Sequence, residues 1–342
     1  MRNAQEEIDL KTIVWFDIFN WPLTLAEIKK YSNLPPDMLT SACNVLRSTE
    51  AGQVMQAGIL SVGESRQNKA IENSDGFYFL KGRKEIIRQR ILRQKIAVRK
   101  IKIAKKATKI LSFIPFVKMA AVCNDLAYFN APSESDIDFF IIVRRGRIWL
   151  TRFLATLTLF ILGLWRHGEK IKDRICLSFF ITDDNLNLKK FAYIEDTYLK
   201  YWVLQIRPLF DRAGAYQNFL KENYWVLKDF PNFFSNISSP KIKIRRNSLQ
   251  LSFEKILGGR FGNFLEKFFK KIQLRTMKKK RPVYIAPAAT SRMLAGAGRK
   301  DVIISDKILK FHEKDRRKHF QRVFKERLKE VCKNNNSFVR GG

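Results

Sequence analysis

Histidine and cysteine are scarce, three and four residues in a chain of 342. Cys43, Cys123, Cys176 and Cys332 lie far apart, and none stands at metal-ligand spacing from another Cys or a His. Neither a disulfide framework nor a zinc site is expected, and a reducing compartment fits. His312 and His319 are seven apart and lack a third ligand. Acid is scarce too: 32 Asp and Glu face 65 Lys and Arg, a net charge of +33. Such a field attracts polyanions, whether nucleic acid, nucleotides or an anionic membrane surface. The apolar stretch Phe153–Trp165 runs for 13 residues between Arg152 and Arg166-His167. A membrane span needs about 20, so none is expected, and Ile148–Trp165 reads as a buried crossover helix. The opening residues MRNAQEEIDL are acidic and carry no apolar signal core, so a cytoplasmic location is expected. No internal repeat is present. Ala295-Gly-Ala-Gly-Arg-Lys300 lacks the spacing of a phosphate loop, and no strand precedes it.

What is there is globular: 46% of residues are hydrophobic, with room for two or three domains and a sizeable core. The central stretch, Ala120–Val143, reads AAVCNDLAYFNAPSESDIDFFIIV. An apolar run from Val117 to Cys123 meets a polar turn. Ser135-Asp136-Ile137-Asp138 then leads into Phe139-Phe140-Ile141-Ile142-Val143, the pattern of a strand buried on both faces. Asp136 and Asp138 are two apart, so on a strand both carboxylates share one face. That is what a hard divalent cation such as Mg²⁺ needs, one or two carboxylates plus substrate phosphates. A charged strand start without a ligand is the plainer alternative.

Around this centre the chain reads in order. Leu10–Phe19 has helical apolar spacing, and Thr24-Leu-Ala-Glu27 is a capping box that starts a second helix running to about Tyr31. A third helix is expected from Pro36 to Arg47. Extended pieces are expected at Gln53–Leu60 and Gly76–Leu80. Three helices and a β-ribbon suggest a winged-helix-like module over residues 1–80. Its third helix carries one base, Arg47, and one acid, Asp37, so packing or substrate positioning is expected there rather than groove reading. Residues 81–110 hold thirteen Lys or Arg against Glu85, a local charge of +12. They read as a connecting helix with a basic outer face. Lys100, Lys102, Lys105 and Lys106 are expected to face solvent. Ile175–Ile181 is a further buried strand, followed by Asp183 and Asp184. From Phe191 to Phe230 the pattern is helical and aromatic, with Pro208 as a stop. Lys241–Arg281 carries fourteen Lys or Arg against Glu254 and Glu266 on a helical apolar stripe broken at Gly258-Gly259. Pro282–Gly298 reads as a loop and Leu309–Val331 as a last helix.

The central stretch resembles the core of the DNA polymerase β-type nucleotidyltransferase superfamily: an apolar strand, a Gly-Ser turn, then Asp-x-Asp opening a second apolar strand. The spacing, the Ser-Asp-Ile-Asp-apolar run and Ala127-x-x-Asn130-Ala131 carry the likeness. It implies a nucleotidyltransferase-like mixed sheet covered by helices, an α/β (α+β) core over residues 111–190, with a helical, basic region over 191–342. It also implies nucleotidyl transfer from a nucleoside triphosphate to a hydroxyl or phosphate acceptor, with Mg²⁺ held by Asp136 and Asp138. The turn positions hold Asn124 and Asp125 instead of Gly-Ser. With Ser135, Arg144 and Arg145 they are the candidate substrate-binding residues. Where the family often has a third acid, this chain has Ser178. Asp183, just beyond, is the candidate third metal ligand. These departures leave open a catalytically degenerate relative that binds RNA or single-stranded nucleic acid through its two basic segments.

Overall fold

The computed structural model describes residues 4–32, 70–236, 248–280, 302–311 and 315–337. The expected third helix, the strand at Gln53–Leu60, the loop at Pro282–Gly298 and His312 lie outside them. The chain forms two compact units; among the described residues, 226–236 and 317–337 belong with the N-terminal one, and one of the divisions falls inside a long helix, at Leu92–Arg93. Both are mixed α/β.

The first unit holds α1 (Ala4–Asp17), β1 (Leu23–Thr24), α2 (Leu25–Tyr31), β2 (Ile71–Ser74) and β3 (Phe77–Leu80). The capping box forms as expected: Thr24 Oγ1 accepts from the Glu27 amide, and Glu27 Oε2 accepts from the Thr24 amide at 2.9 Å. The three strands pair antiparallel in the order β1-β3-β2. β2 was not expected. Helix α3 (Glu85–Leu111) starts in this unit. Its Arg90 is buried, bonding both oxygens of Glu27 at 2.7 and 3.0 Å. The guanidinium also lies 4.2 Å over the ring of Trp21.

The second unit is built on a sheet of six strands among the described residues. They are β4 (Val117–Val122), β5 (Ile137–Val143), β6 (Ile175–Thr182), β7 (Arg207–Asp211), β8 (Ile303–Ile304) and β9 (Ile308–Lys310), in the order β7-β4-β5-β6-β9-β8. β5 runs antiparallel to β4 and parallel to β6. Parallel neighbours need a crossover, and α4 (Ile148–Ile161) provides it. One face of β5, Ile137, Phe139, Ile141 and Val143, joins a core with α3 and α4. The buried residues α3 contributes, Ala97, Ile101, Ala104, Ala107 and Leu111, recur at helical spacing. The other face carries Asp138 and Phe140. Phe140 packs on Phe179, on Trp202 of α5 (Thr197–Gln205) and on Phe219 of α6 (Ala215–Glu222).

The helical pattern does stop before Pro208, since α5 ends at Gln205, but the strand that follows was not expected: Pro208 lies in β7, an edge strand, where a missing N–H is tolerated. One expectation fails here. Leu309 does not open the last helix. It is fully buried in β9, and the helix starts at Arg317. The short α7 (Tyr224–Leu227) precedes α8 (Ser248–Gly258) and α9 (Arg260–Lys280); α10 (Arg317–Ser337) closes the chain.

The glycine break between α8 and α9 is a tight corner. A Cβ on Gly262 would fall 1.6 Å from the Leu257 carbonyl oxygen, so that position needs Gly. Arg147 holds the corner from below. It donates Nε to Leu257 O at 2.9 Å and Nη2 to Gly258 O at 2.8 Å, satisfying carbonyls at the end of α8.

Candidate active site

Asp136 and Asp138 come together at the start of β5, on the face turned to α5 and α6. One oxygen of each and the Sγ of Cys176 all lie within 4.8 Å of one another. The register explains Cys176: Asp138 is its partner across the parallel β5–β6 pair. Before the next pair, Phe140 with Phe179, one residue of β5, Phe139, faces two of β6, Leu177 and Ser178. That bulge lets Ser178 and Phe179, though consecutive, both serve this face. Ser178 Oγ donates to Asp138 Oδ1 at 3.3 Å, while Phe179 meets Phe140.

The turn after β4 supplies the other side. Asn124 sits at φ +55°, the left-handed region where Asn is among the few side chains tolerated. Its Nδ2 donates to Asp138 Oδ2 at 2.7 Å, and its Oδ1 accepts from Trp202 Nε1 at 2.9 Å. The tryptophan thereby fixes which way the amide points, and the amide fixes the carboxylate. Asp125, next in the turn, accepts from the Tyr128 hydroxyl at 3.0 Å.

Arg166 approaches Asp136 from the loop after α4. Its Nη1 lies 2.7 Å from Asp136 Oδ2 and 3.8 Å from Cys176 Sγ. Burial pushes the Asp136 carboxyl above the ordinary Asp range, the neighbouring charge of Asp138 adds to this, and Arg166 opposes it. Burial and then the two aspartates push the Cys176 thiol well up, so it stays protonated at neutral pH.

The loop before β5 is anchored on its far side by Lys100. This side chain is fully buried and donates to Ser133 O at 3.0 Å, Ser135 O at 2.6 Å and Asp173 Oδ1 at 2.8 Å. The expectation that Lys100 faces solvent is therefore wrong. It lies between Ala97 and Ala104 on the inward stripe of α3, while Lys102, Lys105 and Lys106 are exposed as expected. Ser135 offers its carbonyl to Lys100, and its hydroxyl donates to Pro132 O at 3.0 Å.

Three candidate residues are not brought to the pair. The Asp183 amide bonds Val143 O, at the opposite end of β5, about 20 Å from the aspartates at 3.3 Å per residue. Asp183 pairs there with Lys118 and accepts from the Arg145 amide at 2.8 Å. Arg145 reaches Asp184 at 3.5 Å, and Arg144 lies over the Phe116 ring at 5.8 Å. A parallel β6 carries its C-terminal residues away from the start of β5, which is why Asp183 cannot join Asp136. The residues at the right height are Cys176 and Ser178. Their signal was two polar residues at period two in an otherwise apolar strand, ICLSFFIT. Arg166 and Lys100 arrive by tertiary packing.

As a cation site the donor set fits in part. Two carboxylates on one face suit a hard cation that completes its shell with water and phosphate oxygens. A protonated thiol is a soft and poor ligand for it. No protein-family model, no curated protein and no solved structure matches the chain.

Proposed function

We propose that this chain transfers a nucleotidyl group from a nucleoside triphosphate to a hydroxyl or phosphate acceptor, on a nucleotidyltransferase-like core. The observation that carries this is the convergence of Asp136 and Asp138 on one face beside a left-handed turn that grips Asp138. The order of elements supports it: strand, turn, Asp-x-Asp strand, crossover helix, parallel strand. Asn124, at the position of the family's Gly, takes a positive φ, a backbone region that Gly enters most readily.

Asp136 and Asp138 would hold Mg²⁺, which when bound neutralises phosphate charge and polarises the phosphoryl oxygens. Asn124 and Ser178 hold the two oxygens of Asp138, one each, so that carboxylate is oriented before any ligand arrives. Arg166 balances Asp136 in the free protein and is placed to turn to phosphate oxygens when a nucleotide enters.

Asp136→Asn and Asp138→Asn are near-isosteric and relieve a like-charge contact, so both variants should fold. Each should abolish Mg²⁺-dependent nucleotide binding in calorimetry and any transfer of label from an α-labelled triphosphate. Wild-type levels of both in the two variants would end the assignment. A second reading has its own support: β6 presents Cys176 and Ser178, not an acid, to the pair. A protein without turnover would then use the same fold to bind nucleic acid. Salt-sensitive RNA binding with no affinity for triphosphate and Mg²⁺ selects that reading.

A further inference from the structure

The helices α8 and α9 expose a surface that the site above does not use. On α9, Gly262, Glu266, Phe269 and Gln273 turn inward. Phe269 stacks on Phe153 at 3.9 Å, and Gln273 Nε2 donates to Trp149 O at 2.8 Å. The rest of the helix presents Phe261, Phe264 and Phe268 at 57, 63 and 46% exposure, with Ile272 continuing the stripe one turn on. On α8, Phe253 and Ile256 are exposed in the same way. Beside the α9 stripe run exposed Lys267, Lys271 and Arg275. The two acids of the segment are both spent inside. Glu254 accepts from the Phe116 amide at 3.0 Å and from Arg212 at 3.2 Å, and Glu266 accepts from the Trp149 and Leu150 amides at 2.9 Å. Lys270 is excluded from the cationic set because Asp306 pairs with it.

We propose that this face of α8–α9 docks on an anionic lipid bilayer, lying in the interface plane with its phenylalanines in the acyl boundary and its cations on the headgroups. The residue types carry this choice. Phenylalanine and isoleucine side by side, rimmed by Lys and Arg with no outward acid on α8 or α9 themselves, are the composition of an interfacial amphipathic helix. A second copy of the chain is disfavoured, because a self-complementary contact would set Lys267, Lys271 and Arg275 against their own likes. A nucleic-acid strand would use the cations but would leave Ile256 and Ile272 without a stacking role. No helix among the described residues is long and apolar enough to cross a membrane, so the contact is peripheral. It is independent of the nucleotidyl reading.

The test is co-sedimentation of the full chain with phosphatidylcholine vesicles, with and without phosphatidylserine. The expected result is binding to the anionic vesicles, weakened by salt and weak on neutral ones. Replacing Phe261, Phe264 and Phe268 together by Ser should lower it by at least about tenfold. The circular dichroism of that variant should be unchanged, because all three rings are exposed. Replacing Lys267, Lys271 and Arg275 by Gln should flatten the salt dependence. Absence of anionic-vesicle binding overturns the proposal, as does binding that the serine variant leaves intact. Self-association in light scattering that the serine variant abolishes, without vesicle binding, would instead make the face a homotypic interface. RNA binding lost in the serine variant, again without vesicle binding, would make it a nucleic-acid surface.

Discussion

Replacing Lys100 by Met removes a charge that nothing at the surface would miss, because the side chain has no exposure at all. Three acceptors lose one donor each: the carbonyls of Ser133 and Ser135 and the Asp173 carboxylate. Breaking a buried ion pair by removing one partner costs about 3–5 kcal/mol. Two features move the expectation to the lower end. Asp173 keeps Arg99 at 3.2 Å and is 26% exposed, and Ser135 O keeps the Asp173 amide at 3.2 Å. The loss should therefore be about 3 kcal/mol, read from the urea midpoint and slope. Lys102→Met and Lys105→Met on the exposed side of the same helix should each stay within about 0.5 kcal/mol. The double variant Lys100→Met with Asp173→Asn should recover part of the loss, since it no longer strands a carboxylate. A Lys100→Met loss as small as that of the exposed controls would refute the reasoning. The same change bears on function, because Lys100 ties down the loop that delivers Asp136. Cation affinity should fall even though Lys100 touches neither aspartate.

Three further outcomes are expected. Gly262→Ala should cost about 1–3 kcal/mol, because its Cβ would meet the Leu257 carbonyl oxygen and either α8 or α9 must shift; an unchanged melting temperature contradicts the corner geometry. Asp136 must be ionised to hold a cation, and its carboxyl is raised above 3.8 by burial and by Asp138. Mn²⁺ affinity, followed by its electron paramagnetic resonance signal, should hence begin to fall at a higher pH than for an ordinary Asp, and a midpoint at or below 3.8 argues against the pair. Under the nucleic-acid reading, Lys102, Lys105 and Lys106 replaced together by Gln should reduce the log–log salt slope by roughly 2–3, at about 0.7–0.9 per phosphate contact; an unaltered slope places the contacts elsewhere.

Much of the central sheet is legible in the residues because it is buried on both faces. The runs at Val117, Phe139 and Ile175 are apolar and β-branched enough to announce strands without any partner being known. The capping box at Thr24 is equally local. The short strands β7, β8 and β9 are not, because each has five residues or fewer. β7 and β9 are strands only because β4 and β6 offer them an edge, and β8 pairs on β9 in turn. Pro208 shows the limit well: its ring speaks against a helix but says nothing of a sheet edge.

Half of the candidate site was legible for a similar reason. Asp136 and Asp138 share a face by the two-residue period of a strand, which needs no tertiary knowledge. Which carboxylate or thiol stands opposite depends on register, and register depends on whether β6 runs with or against β5. Parallel pairing puts Cys176, not Asp183, level with Asp138. The inward position of Lys100 was available from the helix period alone, since it falls between Ala97 and Ala104 on an apolar stripe. A run of thirteen cations hid it by suggesting that all of them serve one purpose. Two of them, Arg90 and Lys100, are structural: each satisfies acceptors that burial would otherwise strand. The charge of that segment is therefore not a measure of its affinity for polyanions, and only the exposed remainder can act outward.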